Sequence, residues 1–149
     1  MQNCRLEFAN DELLRLSNDP ERLNNLVFSD ECHFTLDATV NRHNCRCWSG
    51  TNSNCFIEKL LHSPRITVWA AIGIGTGIIG PFFYDENVNK ENYLAVLQDY
   101  FWLNEDIIFM QDGSPPHWGR NVRNWLNENL EGRWIGRGSS NMPWPPRSP

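Results

Sequence analysis

Two short apolar runs each deliver one carboxylate. The first is Leu26-Val27-Phe28-Ser29-Asp30-Glu31-Cys32-His33-Phe34 and the second Ile107-Ile108-Phe109-Met110-Gln111-Asp112-Gly113. Asp30 and Asp112 are 112 − 30 = 82 residues apart, so only a folded sheet can bring them together. Paired carboxylates at strand ends are what oxygen-seeking divalent cations such as magnesium require. A plainer reading stands beside this one, because acids often end strands as turn formers and Asp112-Gly113 is a common turn pair.

Other groups invite chemistry on weaker grounds. Gly75-Thr76-Gly77-Ile78-Ile79-Gly80 matches G-x-G-x-x-G, with Asp99 further on. A dinucleotide site needs the third glycine to open a helix, whereas Pro81-Phe82-Phe83-Tyr84 reads as strand. A glycine-rich hairpin is the better expectation, and no small-molecule cofactor is implied. His43, Cys45, Cys47 and Cys55 could suggest zinc, but usual sites use C-x₂₋₄-C pairs. His33 and His117 each lie near an acid; His117 could orient a substrate or cap the following helix. Arg120, Arg123, Arg133, Arg137 and Arg147 are candidate phosphate contacts, although a charged helix face is usually just solvated.

The elements that must position these groups follow from periodicity. Residues 5–25 are polar with Leu6, Leu13, Leu14 and Leu16, which suits a short helix ending near Asp19-Pro20. Strand patterns cover 26–36, 42–49, 66–72 and 78–84, the last two joined through glycines as an antiparallel hairpin. Asn89 is a plausible N-cap for a helix with Tyr93, Leu94, Leu97, Tyr100 and Phe101 on one stripe. A strand at 107–111 and a helix with Trp118, Val122, Trp125, Leu126 and Asn129 on one face complete a mixed α/β order. Residues 1–25 read as a short helical lead-in to a domain over 26–149. Most of the tryptophans phase with the core, while Trp144, in a proline-rich tail, is expected to be exposed.

Composition bounds what this domain can be. With 40% apolar residues, 7 Trp and 8 Phe, the chain of 149 residues is globular and can bury a real core. No apolar stretch approaches a membrane span, and no secretory signal follows Met1. Five cysteines without a signal favour free thiols in a reducing, intracellular compartment. Residues 1–112 hold 8 Lys/Arg against 16 Asp/Glu, a balance of −8; residues 113–149 hold 5 against 2, or +3. A generic nucleic-acid binder would be basic throughout. An acidic front half is compatible with a metal-dependent enzyme, because the metal supplies local positive charge.

Four separate words sharpen the reading. Phe28-Ser29-Asp30-Glu31, Val68-Trp69-Ala70-Ala71, Gln111-Asp112-Gly113-Ser114-Pro115-Pro116-His117 and Trp144-Pro145-Pro146-Arg147-Ser148-Pro149 together resemble the catalytic domain of mariner-like DDE transposases, in that family's order. The resemblance implies an RNase H-like α/β fold, a mixed central sheet flanked by helices, in which Asp30 and Asp112 match the first two catalytic acids and hold Mg2+ or Mn2+. It implies DNA, as transposon ends, for a partner; a homodimer; and a nuclear location, or a cytoplasmic one if the product is non-functional. His117, Arg120, Arg123 and Arg137 stand beside these acids as the candidate nucleic-acid contacts. In the family the third acid follows shortly after the Ser-Pro pair, here Ser148-Pro149, and a helix-turn-helix region precedes the catalytic domain. The expectation is therefore a C-terminally incomplete core without its DNA-binding region, catalytically silent alone, with Glu31 the nearest substitute acid. The alternative is a transposon-derived nucleic-acid or protein interaction module without catalysis.

Overall fold

The computed structural model describes residues 2–35, 64–100, 106–140 and 142–144. The expected strand over 42–49, the loop after it and the zinc candidates lie outside the described residues.

Helix α1 (Gln2–Asn18) stops where Asp19-Pro20 makes continuation unfavourable, because the residue before a proline avoids helical geometry. Its Leu6, Leu13 and Leu14 remain exposed. Two other contacts attach the helix. Phe8 meets Trp144 edge-on at 5.3 Å between ring centroids. Arg22, in the one-turn helix α2 (Arg22–Asn25), donates to Glu12 from Nε at 3.2 Å and from Nη2 to both carboxylate oxygens at 3.1 Å. Trp144 is therefore half-buried against Phe8, and not the exposed tail residue that the proline-rich context suggested.

Strand β1 (Leu26–Thr35) runs through the centre of the molecule. It pairs antiparallel with β2 (Arg65–Gly73), which turns through 74–76 into β3 (Gly77–Tyr84) as the expected hairpin. Glycine is required twice here. Gly77 has φ +71, and a Cβ on Gly75 would lie 2.6 Å from the Asn24 carbonyl oxygen that its own N–H binds at 3.0 Å. Because β3 continues through Gly80 to Tyr84, no helix starts at the third glycine, and the dinucleotide reading fails.

Helix α3 (Lys90–Tyr100) is capped as expected: Asn89 Oδ1 accepts the N–H groups of Glu91 and Asn92, both at 2.9 Å. Its Tyr93, Val96 and Leu97 are fully buried. Strand β4 (Ile108–Met110) lies parallel to β1, and helix α4 (Arg120–Asn129) buries Val122 and Leu126. Strand β5 (Trp134–Ile135), parallel to β4, completes the sheet order β3-β2-β1-β4-β5. Two residues are too few for alternation to announce, so β5 was not legible in the sequence.

Alternation along β1 separates the two faces of the sheet. Val27 joins Trp69, Tyr93, Val96, Leu97, Phe109, Val122, Leu126 and Trp134 in the main core beneath α3 and α4. Leu26 points the other way and packs with Ile108, Ile135 and Met142, against Phe8 and Trp144. Among the described residues no helix is long and apolar enough to cross a membrane.

Candidate metal and nucleic-acid site

Sheet register brings the two acidic positions to the same end of the β1–β4 pair. Phe28 pairs with Met110 across the parallel β1–β4 ladder. Asp30 lies two residues beyond the first and Asp112 two beyond the second. Neighbouring strands stand about 4.8 Å apart, so the chain leaving β4 after Met110 passes beside Asp30, where β1 is still paired with β2. Ser29 Oγ ties them there, donating to the Met110 carbonyl at 2.9 Å. Asp30 and Asp112 both line one cleft of about 600 Å³, with Phe28, Ala70, Ile72, Ile78 and Trp144 among its walls.

The two acids differ in their surroundings. Asp30 is exposed, and its Oδ1 accepts the Glu31 backbone N–H at 2.8 Å. Asp112 is 53% exposed, and its Oδ1 accepts the Ser114 N–H at 3.0 Å. His117 holds the Asp112 carboxyl below its usual pKa and Ser114 helps, against the opposing effect of partial burial. Asp112 is therefore ionised at neutral pH.

His117 is 3% exposed, so it does not stand on the surface as a phosphate contact would. Nδ1 lies 2.6 Å from Asp112 Oδ1 and 3.4 Å from the Asp112 carbonyl oxygen, while Nε2 binds Glu31 Oε1 at 3.0 Å. The ring lies over Tyr93 at 4.0 Å between centroids, and the Tyr93 hydroxyl donates to Gln111 Oε1 at 2.8 Å. Burial pulls the imidazole pKa down, but the bonds and charges of Asp112 and Glu31 outweigh it and carry it up to about 9. Burial, with the charge of Glu31, pushes the Tyr93 hydroxyl well above its usual value.

Glu31 follows Asp30 directly, so strand alternation turns it to the opposite face. Engaged by His117 on the core side, it does not substitute for a third acid in the cleft. The period of two separates the neighbouring acids Asp30 and Glu31, but it does not announce the partnership with His117. Among the described residues, no group of three or more His, Cys, Asp or Glu side chains is placed to hold a metal ion. The donor set at Asp30 and Asp112 nonetheless suits a hard divalent cation: two carboxylates, the Asp112 one ionised, open to water that completes the coordination.

The arginines converge in part. Arg123 Cζ lies 4.0 Å and Arg137 Cζ 4.6 Å from the Trp118 ring centroid. Arg137 also passes Gly113, where an added Cβ would lie 3.6 Å from its Cδ, so the cluster borders Asp112. Arg120, exposed at the start of α4, has no contact with this cluster among the described interactions. None of Arg120, Arg123 or Arg137 forms an ion pair with a described carboxylate. Trp118 precedes α4 and is 37% exposed; helical phasing had assigned it to the buried face.

A mixed five-stranded sheet with helices on both faces, its first strand central and parallel to the fourth, defines an RNase H-like fold. Comparison with solved structures finds chains of similar fold. The chain is similar to the Mos1 strand transfer complex, with a TM-score of 0.67 and 20% identity over 95% of this chain and 41% of that one. It is also similar to the mariner Mos1 paired-end complex with Mg (TM-score 0.63, 20% identity, 86% of this chain and 39% of that one). The Mos1 transposase catalytic domain with raltegravir and Mg matches at a TM-score of 0.55 and 17% identity, over 87% of this chain and 57% of that one. The chain thus spans about two fifths of the length of the Mos1 proteins in the complexes. No family model and no curated protein matches it. The resemblance carried by the four sequence words is borne out at the level of fold.

Proposed function

We propose that this chain is a catalytic-core portion of a mariner-like DDE transposase, with Asp30 and Asp112 as its two metal-holding acids. The observation that carries the reading is the parallel β1–β4 register, which brings Asp30 of β1 and Asp112, two residues past β4, to the lining of one cleft. Solved structures of Mos1 with Mg and with Mn support a divalent ion as the group such a cleft takes. When bound, the ion would activate a water or 3′-hydroxyl and stabilise the leaving oxygen of a phosphodiester. The chain's own residues do the rest: Asp30 and Asp112 supply negative oxygens, and Ser114 and His117 hold Asp112 in place. Arg137 and Arg123, pinned against Trp118 beside Asp112, bind the phosphate backbone.

DNA is the proposed partner, a homodimer the proposed assembly and the nucleus the proposed location; the Mos1 complex with the left transposon end supports the first. With two carboxylates and no third described ligand, the chain alone is proposed to bind metal weakly and to leave DNA uncut. Incubating residues 1–149 with supercoiled plasmid and Mn2+ tests this. Background nicking is expected, with salt-sensitive DNA binding that weakens in Arg137→Ala. Metal-dependent nicking that survives Asp30→Asn and Asp112→Asn would overturn the site; nicking lost in those variants would overturn only the silence.

A further inference from the structure

The contacts of His117 reach beyond the two carboxylates of the cleft. His117 joins residues far apart in sequence, Glu31 on β1 and Asp112 at the end of β4, from a position 3% exposed. Each ring nitrogen has an oxygen partner, and the ring is fixed in plane by Tyr93, which is itself anchored to Gln111, the neighbour of Asp112. Nδ1 approaches both the side chain and the carbonyl of Asp112. Ser114 donates to the same carboxylate oxygen, Oδ1. Oδ2 has no described partner, and Asp112 lines the cleft shared with Asp30.

We propose that His117 is a positioning residue that acts through its Nδ1 edge. By holding Oδ1 of Asp112 against the core, it leaves Oδ2 turned outward as the ligand atom that works with Asp30. Glu31 has the complementary task of holding the far edge of the ring. The proposal rests on the reading of Asp30 and Asp112 as the divalent-ion pair. It assigns Glu31 to orientation, where its place next to Asp30 invited a ligand role. Groups that orient a metal ligand in this way govern affinity, and losing one typically costs about 10–100-fold.

A paired substitution isolates the Nδ1 edge. His117→Asn keeps a donor near the Nδ1 position but cannot reach Glu31. His117→Gln keeps a donor near Nε2 but withdraws from Asp112. Both remove the same ring charge, so the sign of the difference between them tells whether the Asp112 edge or the Glu31 edge of the ring governs the ligand pair. Titrating Mn2+ into the full chain, followed by the loss of free-ion electron paramagnetic resonance signal, should show His117→Asn binding about ten-fold more tightly than His117→Gln. Near-ultraviolet circular dichroism establishes that both variants are folded. Should either fail to fold, ¹⁵N spectra of the wild-type imidazole serve instead: added Mg2+ is expected to shift Nδ1 and leave Nε2 nearly unmoved. Equal Mn2+ affinities in the two variants, or equal Mg2+ shifts at both nitrogens, would overturn the positioning role while leaving the metal pair intact. If Asp30→Asn and Asp112→Asn bind Mn2+ as tightly as the wild type, the metal pair itself fails, and the positioning role with it.

Discussion

At the residue scale, a buried imidazole between two carboxylates links the site to stability. His117 is raised from 6.5 to about 9 in the folded chain, so protonation favours folding. The stabilisation is complete below pH 6.5 and is lost as pH climbs through 9, a change of about 3 kcal/mol at most. Urea denaturation of chelator-treated protein should show this fall, and His117→Gln should flatten it. A profile unchanged by the substitution would remove His117 as its source. Asp112 acts at the acid end, where its lowered pKa means that its contribution disappears as pH drops through the carboxylate range. The arginines carry a separate prediction. Arg123→Ala and Arg137→Ala should each reduce the slope of log affinity against log salt for duplex DNA by about 1. Of these features the two acids and the arginines were readable from residue type and spacing. The Glu31–His117 bond was not, because it spans distant positions that only the folded sheet brings together.

Strands and helices were legible to the degree that their patterns repeat. β1, the β2–β3 hairpin, α3 with its Asn89 cap and α4 all fall where alternation, glycines and the 3.6-residue stripe put them. The attachment of α1 was not readable: its Leu6, Leu13 and Leu14 face water, and the Arg22–Glu12 pair with Phe8 holds it instead. Glu12→Ala leaves the mostly buried Arg22 without its carboxylate. Breaking a fully buried pair costs about 3–5 kcal/mol, and partial exposure reduces the expectation here to roughly 2. Chemical denaturation measures it; a loss below about 0.5 kcal/mol would mean that the pair contributes no more than a surface ion pair. Gly75→Ala tests the hairpin turn. A Cβ there meets the Asn24 carbonyl, so a melting temperature several degrees lower is expected, and an unchanged one would contradict the close approach.

At the scale of the whole sheet, the described residues cover its two faces unequally. The face under α3 and α4 is packed with buried side chains. On the other, β1, β2 and β3 leave Phe28, Phe34, Ile66, Ile72, Ile78 and Phe83 between 45% and 72% exposed, in register with one another and flanking Asp30. Apolar surface of this extent is unusual on an isolated domain. The chain should bind a hydrophobic fluorescent dye strongly, and Ile72→Lys with Ile78→Lys should reduce that signal while preserving the fold. The same face makes one wall of the cleft, so the carboxylate pair stands where an apolar surface meets water. The measurement that bears most directly on the central claim is an anomalous difference map from crystals of the chain soaked in Mn2+. A peak held between the carboxylates of Asp30 and Asp112, absent in Asp112→Asn crystals, is the predicted result. Manganese bound elsewhere, or a peak that persists in Asp112→Asn, would contradict it.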